Sequence, residues 1–124
     1  MHDIVISTSS FDLDSNPGID QLRAAGLSIG TNPFGRKLTE AEIGDLLTDS
    51  VVGLLAGVEP LTADVIANAT GLAVISRCGV GMYSVDQAAA KARGIGISST
   101  LDAPVDAVVE MTLGLILATL RHIP

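Results

Sequence analysis

Three times along this chain a helix-like segment closes on a glycine, and the next residue already opens an apolar, extended run: Gly26-Leu27, Gly71-Leu72 and Gly94-Ile95. A glycine just past the last helical turn supplies the left-handed residue that stops a helix at little steric cost. The apolar run behind it predicts a strand. Helices that feed strands through such short joins belong to βα units, whose crossovers are right-handed and whose strands are parallel. The repeated join therefore restricts the chain to a layered α/β architecture.

The predicted strands fall at 3–8, 27–30, 51–56, 72–75 and 95–99. The third, Val51-Val52-Gly53-Leu54-Leu55-Ala56, is apolar without alternation and should be covered on both faces. The second is short and weak, which suits an edge. Five parallel strands with that edge give the order 2-1-3-4-5, a flavodoxin-like three-layer fold, followed by a long apolar helix.

The helix starts are also legible. Asn16-Pro17 places an N-cap before a proline at the first position of a helix over 18–25. Thr39 and Glu42 have capping-box spacing ahead of Ile43, Leu46 and Leu47, and Thr62 caps a helix over 63–69. Ser84 and Gln87 have the same spacing, predicting a fourth helix with an apolar face of Val85, Ala88, Ala89 and Ala92. Pro104 is expected at the first position of the last helix, which runs to about Arg121.

Fourteen acidic residues against seven basic ones give a net charge of −7. With no basic cluster and only Phe11, Phe34 and Tyr83 as aromatics, a nucleic-acid partner is excluded. The single Cys78 forbids an intramolecular disulfide and reads as a small core residue at a strand end. No apolar run approaches the roughly 20 residues that span a bilayer, and no signal peptide is evident, so a soluble cytoplasmic protein is expected.

In open α/β sheets ligands sit beyond the carboxyl ends of the strands, near the switch point. That brings the loops after Thr8, Ala56 and Cys78 around one crevice. In the stretch 72–93, Ser76-Arg77-Cys78 runs into the turn Gly79-Val80-Gly81 and then a helix start, where free amides and the helix dipole predict anion binding. Arg77 itself reads as a structural ion-pair partner. A phospho-acceptor receiver would need an Asp ending strand 3 and a Lys ending strand 5, where this chain has Ala56-Gly57 and Ser99-Thr100. A flavin carrier would need aromatics that are missing. The turn holds two of the three glycines of a dinucleotide fingerprint, with Ser84 third, but no acidic residue ends the next strand, so it is not the main NAD site.

The run Val74-Ile75-Ser76-Arg77-Cys78-Gly79-Val80-Gly81, then Val85-Asp86, then Ala88-Ala89-Ala90-Lys91-Ala92-Arg93-Gly94-Ile95, resembles the D-isomer-specific 2-hydroxyacid dehydrogenases, in their 3-phosphoglycerate dehydrogenase-like branch. Glu59-Pro60-Leu61-Thr62 and the ending Val108-Val109-Glu110-Met111-Thr112-Leu113-Gly114, with Arg121-His122-Ile123-Pro124, are similar to the same family. The resemblance implies that 1–100 is the substrate domain and that 101–124 is the crossover and first helix of an NAD-binding domain. It implies binding of the carboxylate of a 2-hydroxy or 2-oxo acid by Gly79, Val80 and Gly81, with Gly57 lining the crevice. It also puts Val80 and Thr112 near an NAD or NADP cofactor. The family's cofactor fingerprint, catalytic Arg and Glu–His pair are expected beyond residue 124, so the portion in hand is expected to be inactive alone.

Three departures bear on the substrate. Tyr83-Ser84 stands where the family has Asp-Asn, Leu101-Asp102 where it has Pro-Gly, and Pro104 where an Asn often helps to hold the carboxylate. Val105, Val108, Val109, Thr112, Leu113, Ile116, Leu117 and Leu120 leave the last helix little polar face, and such a helix must be buried. A homodimer formed through it is therefore expected. The alternative is a stand-alone, non-catalytic flavodoxin-like module that binds a small carboxylate or a partner chain.

Overall fold

The computed structural model describes residues 2–9 and 11–123. Five parallel strands, β1 Ile4–Ile6, β2 Ile29–Thr31, β3 Gly53–Ala56, β4 Val74–Arg77 and β5 Gly96–Ser99, form one sheet in the order β2-β1-β3-β4-β5. Helices α1 Pro17–Ala24, α2 Glu40–Leu46, α3 Ala63–Asn68, α4 Gln87–Ala92 and α5 Val105–Leu120 alternate with them. This is the flavodoxin-like topology read from the sequence.

The register pairs Val5 with Leu54, Leu54 with Ile75 and Ile75 with Ile97, so these side chains share one face. Ile43 of α2, Val65 and Ile66 of α3 and Ala90 of α4 close over that face and form the main core. Ile4, Ile6 and Leu55 point the other way, toward Ile19 and Leu22 of α1, across an open apolar groove. Val74 on that side remains exposed. Coverage of β3 on both faces thus holds, except that Leu55 is half-buried.

Most predicted starts are built as read. Asn16 caps α1 through the Gly18 amide, with Pro17 at the first helical position. Thr39 and Glu42 form the reciprocal capping box. Arg36 grips the same Glu42 with two bonds of 2.9 and 2.6 Å, and its guanidinium, with the Thr39 amide, pulls the carboxyl down to about 2.

Several expectations are corrected. β4 begins at Val74 rather than 72 because Leu72 still closes the α3 turn, its amide donating to the Ala69 carbonyl, while Ser76 and Arg77 carry the pairing onward. α4 is capped by Asp86, whose side chain accepts from the Ala89 amide, not by Ser84. Ser84 and Val85 are held instead in a parallel bridge to Leu61. The buried face is accordingly Val85 and Ala90, while Ala88 and Ala92 are exposed. Pro104 occupies the N-cap of α5, one residue earlier than expected. Gly26 and Gly94 take the left-handed conformation that stops a helix, with φ of 80° and 71°. Gly71 does not; it is required by close approach, since a Cβ there would stand 2.1 Å from the Asp49 carbonyl oxygen. Cys78, expected in the core, is exposed at the strand end. Within one chain α5 buries none of its residues.

Candidate functional site

Because all five strands are parallel, the loops leaving β1, β3 and β4 emerge on one edge, where Ser7 and Cys78 donate backbone bonds to the Leu55 and Ala56 carbonyls. Between these loops lies a cavity of about 300 Å³. Ser7, Thr8 and Ser9 line it from β1, Gly57, Val58 and Glu59 from β3, and Arg77, Cys78 and Gly79 from β4, with Lys37 entering from the loop before α2. The crevice expected after Thr8, Ala56 and Cys78 is therefore formed.

Its floor is charged. Glu59 is only 2% exposed, and its Oε1 accepts from the Ser7 hydroxyl and, at 3.0 Å, from the Gly57 amide. Gly57 is fitted to this carboxylate, since a Cβ there would stand 2.9 Å from Glu59 Oε2 and 3.2 Å from Thr8 Cα. Across the cavity Arg77 is 6% exposed; its Nη1 donates to the Cys78 carbonyl, and its Nε is buried with no partner. The ion pair expected of Arg77 is not made, with Glu59 or any other acid among the described residues. A buried guanidinium with an unsatisfied N–H carries a desolvation cost that an incoming acceptor would relieve.

Gly79 belongs to this cluster for a steric reason. Its φ is 138°, and an added Cβ would stand 2.1 Å from Arg77 Nη1. Its amide donates to Thr100 Oγ1 at 2.8 Å and its carbonyl accepts from the Thr100 amide, so β5 pins the turn. The amides of Val80 and Gly81, next along the chain, have no hydrogen bond among the described residues. Tyr83, largely exposed, lays its ring edge against Gly81, 2.9 Å from where a Cβ would be.

The structure thus gathers Gly57 and Gly79 in one cavity and sets Val80 and Gly81 on the turn leaving it. Thr112 is not part of this group: it lies on exposed α5, with its hydroxyl bonded back to the Val108 carbonyl at 2.7 Å. The helix-dipole contribution expected at the turn is absent, because α4 starts only at Gln87, beyond the Val85–Leu61 bridge. The positive charge lining the cavity is that of Arg77 and Lys37. The same separation means that this turn is not a dinucleotide's pyrophosphate site, which needs a glycine turn opening directly into a helix. Sequence reasoning missed Ser7 and Glu59 as site residues; the visible signal was a lone Glu before Pro60, two residues after the glycine that follows β3.

Comparison with known proteins agrees with this architecture. Residues 6–120 match the model of the D-isomer specific 2-hydroxyacid dehydrogenase catalytic domain. The chain is 39% identical over 96 residues to D-3-phosphoglycerate dehydrogenase of Methanocaldococcus jannaschii, covering 77% of this chain and 18% of that protein. It is 33% identical over 86 residues to hydroxypyruvate reductase of Thermotoga maritima, covering 69% of this chain and 28% of that protein. A crystal structure of a Thermus thermophilus protein superposes with a TM-score of 0.81 at 32% identity, over 97% of this chain and 37% of that one. The chain thus spans between about an eighth and two fifths of the proteins it matches, and on the family match it belongs to the D-isomer specific 2-hydroxyacid dehydrogenases.

Proposed function

We propose that this chain is the substrate-side portion of an NAD- or NADP-dependent D-2-hydroxyacid dehydrogenase. Residues 1–100 form the substrate domain, and 101–124 are the crossover and first helix of the cofactor domain. The carboxylate of a small 2-hydroxy or 2-oxo acid accepts hydrogen bonds from the Val80 and Gly81 amides. Gly57 and Gly79 shape the cavity behind it, where Arg77 supplies positive charge. The supporting observation is the buried, unpartnered Arg77 Nε beside a turn with two unbonded amides, at the strand ends where this fold class binds ligands.

Hydride transfer needs an oriented nicotinamide and a proton donor. Neither is provided by the cavity, so the portion alone binds acid without turnover. Val80 and Thr112 would border the cofactor in the complete protein. A homodimer through α5 accounts for a sixteen-residue helix that buries nothing within its own chain. A cytoplasmic location fits a dehydrogenase portion with no membrane-spanning helix among the described residues.

Ligand-observed saturation-transfer NMR tests the binding claim. Pyruvate should show transfer from the protein at millimolar concentration, and its neutral amide should not. Equal transfer to the amide, or none to pyruvate, would contradict a carboxylate site.

A further inference from the structure

The cavity holds an acid that its proposed role does not explain. A site built only to attract an anion gains nothing from a buried carboxylate, yet Glu59 is 2% exposed and held in place by Ser7 and the Gly57 amide. Gly57 is confined to glycine by that same carboxylate. The charges lining the cavity are therefore Glu59, Arg77 and Lys37, one negative and two positive, for a net charge of +1.

We infer that Glu59 is a specificity-determining residue whose buried carboxylate offsets the attraction of Arg77 and Lys37 and biases this cavity toward 2-hydroxy or 2-oxo acids with a single negative charge, against their phosphorylated counterparts. The inference rests on the substrate-side reading above and names the substrate class of that site. A monocarboxylate takes the attraction of Arg77 and Lys37 without a second anionic group to set against Glu59. A hydroxyl on its tail could donate to Glu59. A phosphoryl group adds about 1.5 to 2 further negative charges and only acceptor oxygens. It has no proton to give the carboxylate and repels it. One like charge at about 5 Å and an effective dielectric near 20 is worth more than tenfold in affinity.

The test is an amide-detected NMR titration of the chain with D-glycerate and with 3-phospho-D-glycerate. The wild-type ratio of the two affinities is the reference. Glu59→Gln keeps the shape, raises the cavity charge to +2, and should shift the ratio at least about tenfold toward the phosphorylated acid. Lys37→Gln changes an exposed residue, so it does not threaten the fold, and should shift the ratio the opposite way. An unchanged ratio in folded Glu59→Gln or, if that variant does not fold, in Lys37→Gln overturns the inference; in each case the substrate-side reading survives. If neither acid binds wild type, the substrate-side reading falls and takes this inference with it.

Discussion

Replacing Gly79 by alanine should damage this protein twice over. At φ 138° an L side chain is strained, at a cost of about 1–3 kcal/mol. The new methyl would also stand 2.1 Å from Arg77 Nη1 and 2.9 Å from Cζ. The guanidinium cannot simply retreat, because Arg77 is buried and its Nη1 is bonded to the Cys78 carbonyl. Overpacking of this kind adds about 1–3 kcal/mol, for a total of about 2–6 kcal/mol. Urea unfolding followed by circular dichroism measures the loss as a lowered midpoint. Gly94→Ala is the control, since its φ is 71° but nothing lies within 4 Å of the added methyl, and strain alone should cost about 1–2 kcal/mol. In an Arg77→Ala background the clash is gone, so the cost of Gly79→Ala should fall to its strain component. A Gly79→Ala variant no less stable than Gly94→Ala, or a cost that Arg77→Ala leaves untouched, would refute the contact between turn and guanidinium.

Other consequences follow from the packing and the charges. Ile66→Ala removes a fully buried α3 side chain from the core and should cost about 2–5 kcal/mol by the same unfolding assay. Thr39→Ala removes one arm of the capping box and should cost about 0.5–2 kcal/mol. The Glu42 carboxyl is held at about 2 against an ordinary 4.5, so its contribution is complete above pH 4.5 and lost as the pH falls toward 2; Glu42→Gln should flatten stability across that window, visible in acid titrations of the unfolding midpoint. If α5 mediates a dimer, Leu113→Glu should leave the fold intact but convert a dimer to a monomer in sedimentation velocity at micromolar concentration; wild type that is already a monomer there would contradict the proposal.

The topology was legible because it rests on local signals that no tertiary contact overrides. Gly26 and Gly94 stop helices at their own positions, and Asn16, Thr39 and Thr62 cap them. Boundaries failed where a distant backbone decided the outcome. Leu61 recruited Val85 into a bridge, which moved the α4 cap from Ser84 to Asp86. Pairing with β3 carried β4 through Ser76 and Arg77, beyond the apolar run that ends at Ile75. Gly71 looked like a helix stop but answers to the Asp49 carbonyl, which sequence spacing cannot reveal. The crevice followed from the parallel order, since every strand must end on the same edge. Its chemistry did not: the buried Glu59 is held by Ser7, 52 positions earlier, which reaches it from the end of β1 beside β3.

The central claim is that the turn after β4 holds a substrate carboxylate. Amide chemical shifts of the isotope-labelled chain, followed as pyruvate is added, address it most directly. The account predicts the largest shifts at Val80 and Gly81, whose amides are unbonded, and smaller ones at Gly79, whose amide is already bonded to Thr100. Saturable shifts confined to α5 or to the apolar groove beside α1, with Val80 and Gly81 unmoved, would contradict it.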